Sequence, residues 1–345
     1  MNRKRIIIYS VSALGALILL CIAVFAWVVF GSNVNTKDGK PQWFYVYTGS
    51  TYKSVYESLQ KQKLLRNNST FDFIASKKHY KNKVQPGRYM LRNGMSNNQL
   101  VNLLRSGVQE PVKVVFHNIR TKEQFAGRIA SQLEADSVSI LTMLNDSAFL
   151  AENGYNSNTV ISLFIPNTYE FYWTTTAKKF LNRMVKESEL FWNTGRMEKA
   201  EKMNLTPVEV ITLASIVEEE SQKNDERPTI AGVYYNRLRK GMLLQADPTV
   251  KYAVGDFTLR RILNVHTEYD SPYNTYKYKG LPPGPICIPS IPAIDAVLNY
   301  NKTNYLYFCA KEDFSGYHNF AETKAEHEAN ARKYWNALNA RKIYR

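Results

Sequence analysis

Ile6 to Phe30 is a run of 25 residues without a charge, entered directly from Arg3, Lys4 and Arg5. As a helix rising 1.5 Å per residue it would be about 37 Å long, enough to cross the roughly 30 Å hydrocarbon layer of a bilayer. A cleaved signal peptide is the alternative, but its apolar core is usually about 7–15 residues and small residues follow at the cut. Here Trp27, Val28, Val29 and Phe30 close the run, which favours a retained anchor. Basic residues gather on the cytoplasmic side of a span, and the next charge is Lys37. The expected topology is a cytoplasmic segment over 1–5, a transmembrane helix over 6–30 and everything later outside the cytoplasm.

That topology changes the meaning of the charge. Lys and Arg number 45 against 30 acidic residues, and removing Arg3, Lys4 and Arg5 still leaves 42 against 30. Net charge speaks to association rather than to fold. An exported basic chain is not expected to meet nucleic acid; an anionic wall polymer or anionic lipid headgroups fit better. The hydrophobic content of 44% excludes a disordered chain. Cys21, Cys287 and Cys309 are too few for a zinc cluster or a disulfide framework, although a Cys287–Cys309 bridge is conceivable. No metal and no cofactor are expected.

After a polar linker over 31–42, Trp43 to Tyr47 reads as a strand, and Ser50 or Thr51 caps a helix with Val55, Leu59 and Leu64 inward. A short helix follows Ser69. Gly87 to Leu91 reads as another strand, and Ser96 opens a helix through Leu100, Leu103 and Leu104 that stops at Gly107. Val112 to Phe116 then leads to Thr121 with Gln124 three residues on, the pattern of a capping box, and to apolar Phe125 and Ile129. Val55 and Leu59 are thus echoed 70 residues later, by duplication or by two ordinary strand-plus-helix units.

The region over 155–345 carries the candidate chemistry. Thr206-Pro207-Val208-Glu209 is a strong helix start, and the helix runs toward Glu220. At 100° per residue Val210, Ile211, Ala214 and Val217 share one arc, Glu218 falls inside it and Glu220 points the opposite way. Loss of water on the apolar side and the helix C-terminus would both raise the Glu218 pKa. A carboxyl kept protonated near neutral pH can act as a general acid. The alternative is a plain solvated helix end. A second helix runs from about Arg227 to Lys240, with Gly241 beyond; its Asn236 and Arg237 are either site residues or ordinary surface, and spacing does not separate the two. Polar, aromatic-lined loops follow, suited to hydrogen-bonding and stacking on sugars, or simply rich in turn formers.

Ala214-Ser215-Ile216-Val217-Glu218-Glu219-Glu220, Asn236-Arg237-Leu238, Gln245-Ala246-Asp247-Pro248-Thr249-Val250, Tyr273-Asn274-Thr275-Tyr276 and Gly280-Leu281-Pro282-Pro283-Gly284-Pro285-Ile286 together resemble the endolytic murein transglycosylase (YceG-like, MltG) family. Phe164-Ile165-Pro166-Asn167-Thr168-Tyr169 is similar to another family segment, with Asn167 in place of Asp and Ile165 in place of Phe. Gly316-Tyr317-His318-Asn319-Phe320 is similar to a late one, and Gln85-Pro86-Gly87-Arg88-Tyr89 to part of a LysM-like module. The resemblance implies an α+β fold: the transmembrane helix, a LysM-like module over 43–108, a connecting strand–helix region over 109–154 and a mixed α+β catalytic domain over 155–345. It also implies a single-pass protein of the plasma (inner) membrane with its catalytic domain on the extracytoplasmic (periplasmic) side. The implied partners are peptidoglycan glycan strands and penicillin-binding peptidoglycan synthases, and the implied role is control of strand length.

The implied reaction is cleavage between N-acetylmuramic acid and N-acetylglucosamine inside glycan strands, without water, leaving a 1,6-anhydro end. The family match assigns Glu218 as the single catalytic acid and base, with Gln245, Asp247, Asn274, Tyr273 and Asn236 binding substrate. Three other readings stay open. Asp247 could be the second carboxylate of a hydrolase; the chain could be an inert wall-binding scaffold; or His318, Glu322 and His327 could hold a metal, though without recognised zinc spacing.

Overall fold

The structure, a computed structural model, describes residues 3–259 and 261–341. Met1 and Asn2 of the expected cytoplasmic segment, Arg260, and 342–345 of the expected last domain lie outside the described residues. Helix α1 (Arg3–Phe30) takes in the whole uncharged run and is long and apolar enough to cross a membrane. From Lys4 to Trp27 it is exposed. Its last turn is anchored in protein, where Val29 is buried and the Val28 carbonyl accepts from Asn97 Nδ2 at 2.9 Å.

Packing divides the chain into two units. The first comprises the described residues up to Lys113, with Gln132–Glu134 and Glu170–Thr175. It contains β1 (Gln42–Val46), α2 (Tyr52–Lys61), α3 (Asn68–Lys77), β2 (Gly87–Leu91) and α4 (Asn97–Ser106). β1 and β2 pair antiparallel, from Gln42 opposite Leu91 to Val46 opposite Gly87. Alternation sends Phe44 and Val46 of one strand, and Tyr89 and Leu91 of the other, into a core with Val55, Leu59, Leu100 and Leu104. Leu64 lies beyond the end of α2 yet is also buried. Helix α3 begins earlier than the expected start after Ser69, because Asn67 caps it by accepting from Thr70 N at 3.0 Å. Ser96 and Gln99 form the reciprocal box that starts α4, and Gly107 ends it at φ 71, a left-handed conformation that costs a glycine little.

Further along come β3 (Val112–Val115), α5 (Lys122–Ala130), α6 (Ser137–Leu144), α7 (Ser147–Glu152), β4 (Thr168–Phe171), α8 (Ala177–Phe191) and α9 (Thr194–Lys202). Thr121 caps α5, but Gln124 reaches back to the Arg120 N–H at 3.2 Å, one residue before the cap. Phe125 and Ile129 are fully buried, as expected.

The second unit is organised around α10 (Pro207–Glu220), started by the Thr206–Glu209 capping box with Pro207 in its first turn. Every residue from Val210 to Val217 is buried. It is therefore a central helix and not an amphipathic surface one, and this changes what its acids meet. Around it lie α11 (Arg227–Arg239), α12 (Asp247–Val254), the short α13 (Asn264–Thr267), α14 (Ile291–Leu298), the antiparallel pair β5 (Tyr307–Ala310) and β6 (His318–Ala321), and α15 (Lys324–Ala340). Ala231 and Tyr234 of α11, and Ile294 and Val297 of α14, join the α10 core. The three cysteines are free thiols, with Cys287 buried.

Candidate active site

The three acids that end α10 enter three different environments. Glu218 Oε1 pairs with Arg227 Nη2 at 3.0 Å, and its Oε2 accepts from the backbone N–H and hydroxyl of Ser290, the residue that begins α14. Arg227 is itself buried and also donates to the Ser221 carbonyl at 3.0 Å and to Asn224 Oδ1 at 2.8 Å. Both oxygens of Glu218 are thus committed to joining α10, α11 and α14. Glu219 pairs with Arg120 at 2.7 Å, nearer the surface.

Glu220, which the arc on the helix aimed away from the apolar side, lines a pocket of about 290 Å³ with Tyr234, Arg237, Gln245, Asp247 and Tyr276. Glu220 does face away from Glu218, but the side it faces is not solvent. With α10 buried all round, its opposite face is covered by other parts of the unit instead of water, and Tyr234 on α11 donates to Glu220 Oε1 at 2.7 Å. The residue keeps some exposed surface, but loss of water around the carboxyl, aided by the Asp247 charge, pushes its pKa up to about 7. The Tyr234 hydrogen bond, Lys251 and Arg237 pull the other way. Near neutral pH this carboxyl is therefore part protonated and can both give and take a proton.

The loop motifs build the pocket mouth. Thr249 and Thr275, both buried, meet at 2.8 Å, and Thr275 Oγ1 also accepts from Ala246 N at 3.0 Å. This joint fastens the Gln245–Thr249 motif to the Tyr273–Tyr276 motif. It brings the Tyr276 hydroxyl onto Asp247 Oδ1 at 2.6 Å. Gln245 sits at φ 52, a left-handed conformation uncommon for a residue with a side chain, and its amide oxygen lies 3.4 Å from Arg237 Nη1. Arg237 is held in turn by the Leu306 and Leu244 carbonyls, at 2.6 and 2.7 Å.

The YceG-like family model matches residues 44–333, most of the chain and all of this site. The chain belongs to the YceG-like family. It is 31% identical to the endolytic murein transglycosylase of Bacillus subtilis, over 85% of this chain and 84% of that protein. A Streptococcus pneumoniae protein of the same name is 29% identical, and the chain spans 57% of its length. The crystal structure of a yceG-like protein from Listeria monocytogenes superposes with a TM-score of 0.57 at 29% identity, covering 85% of this chain and 99% of that one.

In this YceG-like protein the residues expected at the site separate. Gln245 and Asp247 line the pocket with Glu220; the others are placed elsewhere. Asn274 is buried, donates to the Thr267 and Tyr269 carbonyls at 2.9 and 2.7 Å, and accepts from Tyr276 N at 3.0 Å, so it braces the loop from inside. Tyr273 packs on Tyr252, ring centroids 4.7 Å apart. Asn236 pins the Thr303 and Tyr305 carbonyls and borders a different hollow, with Arg239 and Lys240. Gly284 is a close approach, since a side chain there would meet the Asn158 carbonyl oxygen. His318 is held by Glu226 at 2.7 Å, and the described residues contain no group of His, Cys, Asp and Glu arranged to hold a metal ion. Sequence reasoning passed over Glu220, Tyr234 and Tyr276 as pocket residues and left Arg237 undecided. No sequence signal singles out Glu220, because only the packing of α11 against α10 brings its carboxyl into the pocket.

Proposed function

We propose that this YceG-like protein is a membrane-anchored endolytic lytic transglycosylase, and that Glu220, not Glu218, is its acid and base. The observation that carries the reading is a desolvated carboxyl, its pKa pushed up to about 7, in a pocket that also takes in Gln245 and Asp247. In this reading protonated Glu220 gives its proton to the glycosidic oxygen between N-acetylmuramic acid and N-acetylglucosamine, and that bond breaks. The C6 hydroxyl of the muramic residue then closes on its C1, and the Glu220 carboxylate takes the hydroxyl proton, restoring the acid. Water does not enter. Gln245, Asp247 and Arg237 bind and orient the sugars around the bond.

The names of the relatives support the substrate, and the exposed apolar surface of α1 supports the anchor. Arg3, Lys4 and Arg5 before it support a cytoplasmic N-terminus, a place in the plasma membrane and an extracytoplasmic catalytic domain. The strand–helix–helix–strand order of residues 42–91 supports a LysM-like module. Work beside penicillin-binding synthases and limitation of strand length follow from the family resemblance.

A second reading has one observation in its favour: Asp247 and Glu220 share the pocket, and a second carboxylate can activate water. Digestion of purified murein glycan, with products weighed, separates the two. Anhydro ends lie about 18 Da, one water, below reducing ends. Anhydro ends from the wild type, and none from Glu220→Gln, are expected. Reducing ends would establish the hydrolase instead.

A further inference from the structure

One titratable side chain of the pocket has no part in this mechanism. His327 lines it from the first turn of α15, which the Thr323–Glu326 capping box starts. Its ring lies on Tyr307, centroids 5.3 Å apart and planes 23° from parallel. Tyr307 in turn lies under the Arg237 guanidinium, 5.2 Å from its ring centre. The imidazole is therefore held in place before any ligand arrives.

The two ring nitrogens differ. Nδ1 is closed off from solvent and has no hydrogen-bond partner among the described residues. Burial, with Arg237 beside it, pushes the His327 pKa down, Glu328 opposing, so the ring is neutral at neutral pH. A neutral imidazole carries one proton, and a buried N–H without a partner is rarer in proteins than a buried acceptor without one. The proton therefore belongs on Nε2, the only ring nitrogen left to meet a ligand. Most other donors of the pocket are occupied: the Tyr234 hydroxyl by Glu220, the Tyr276 hydroxyl by Asp247, and Arg237 by backbone carbonyls. A glycan offers many acceptors in its hydroxyl and acetamido oxygens.

We propose that His327 is a glycan-binding residue of this pocket, its Nε2–H donating to a hydroxyl or acetamido oxygen of a sugar at the cleaved bond. The inference rests on the reading of the pocket as the glycan site. The test uses the full chain in detergent with purified murein glycan. His327→Phe keeps a flat ring on Tyr307 and removes the donor, whereas His327→Gln can return an N–H near the Nε2 position. Loss of one neutral hydrogen bond should raise KM about tenfold in His327→Phe, with kcat nearly unchanged and KM largely restored in His327→Gln. A wild-type KM in His327→Phe would overturn the proposal, as would a Gln variant as impaired as the Phe variant.

Should His327→Phe fail to fold by circular dichroism, the ring itself is observed. In the Glu220→Gln chain carrying 15N-histidine, added glycan should move the His327 Nε2 resonance; an unmoved resonance overturns the proposal. Full activity in Glu220→Gln would instead remove the pocket reading. Lost activity there, together with an unaltered KM in His327→Phe, would remove the role of His327 alone.

Discussion

Glu218 and Glu220 stand two residues apart at one helix end and do opposite kinds of work. Glu218 is surrounded by donors: a buried guanidinium, a hydroxyl and a backbone N–H hold both its oxygens. Glu220 has one tyrosine hydroxyl, a neighbouring carboxylate and an open pocket. A carboxylate with both oxygens taken by a buried cation and neighbouring donors is a fastening between helices. A carboxyl short of water and facing Asp247 is ready to exchange a proton. Burial alone does not make an acid catalytic; the partners of the charged form decide.

The comparison breaks most sharply by exchange of each acid for its amide. Glu220→Gln should lower turnover of murein glycan by about 10²–10⁴-fold while the protein folds and still binds strands. Glu218→Gln should do the reverse. It strands Arg227 in a buried site and should cost about 3 kcal/mol in denaturant unfolding, with near-normal turnover in the molecules that fold. Loss of turnover in folded Glu218→Gln, at unchanged stability, would return the catalytic role to Glu218.

The pH dependence sharpens the contrast next. In the proposed mechanism the proton donor is the protonated form of Glu220, so kcat/KM should fall about tenfold per unit as pH rises above about 7. Stability carries the same signature. Folded Glu220 keeps its proton up to about 7, while the unfolded group releases it near 4.5, so the wild type should lose stability relative to Glu220→Gln as pH rises between these values. Parallel unfolding curves for the two proteins across that window would refute the raised value.

Asp247→Asn should act more gently on the same limb. Its negative charge helps raise the Glu220 pKa, so its removal should move the alkaline fall of kcat/KM to lower pH, besides weakening glycan binding. A limb left in place would mean that the two carboxyls do not sense each other. Glu219→Gln is the control in the triplet. It breaks an ion pair with the partly exposed Arg120, and the change in unfolding free energy should be about 0–1 kcal/mol with activity intact.

Much of this was legible in the chain because it is local. The Ser96 cap, Gly107 and the Thr206-Pro207-Glu209 start lie within a turn of the helix ends they define, and each is where the sequence places it. Val55, Leu59, Phe125 and Ile129 are buried because a periodicity of 3.6 puts them on one face whatever that face meets. The loop motifs were visible as motifs, though not their division of labour. Asn274 and Tyr273 look as suited to bind sugar as Gln245 does until their hydrogen bonds and ring contacts are seen.

By itself, then, the sequence determined the long apolar helix, the capped helix starts and the identity of the acidic triplet and its companion loops, since spacing and local hydrogen bonding act over a few residues. Only the tertiary structure decided which acid enters the pocket. An arc drawn on α10 assumes one wet side, and α11, with Tyr234, removes the water from the side that should have been wet. The approach of Arg227 and Ser290 to Glu218, and of Asp247 to Glu220, depends on contacts 9 to 72 residues apart in the chain. Electrostatics at a helix end follows from what has been packed against it, and no periodicity along the helix contains that information.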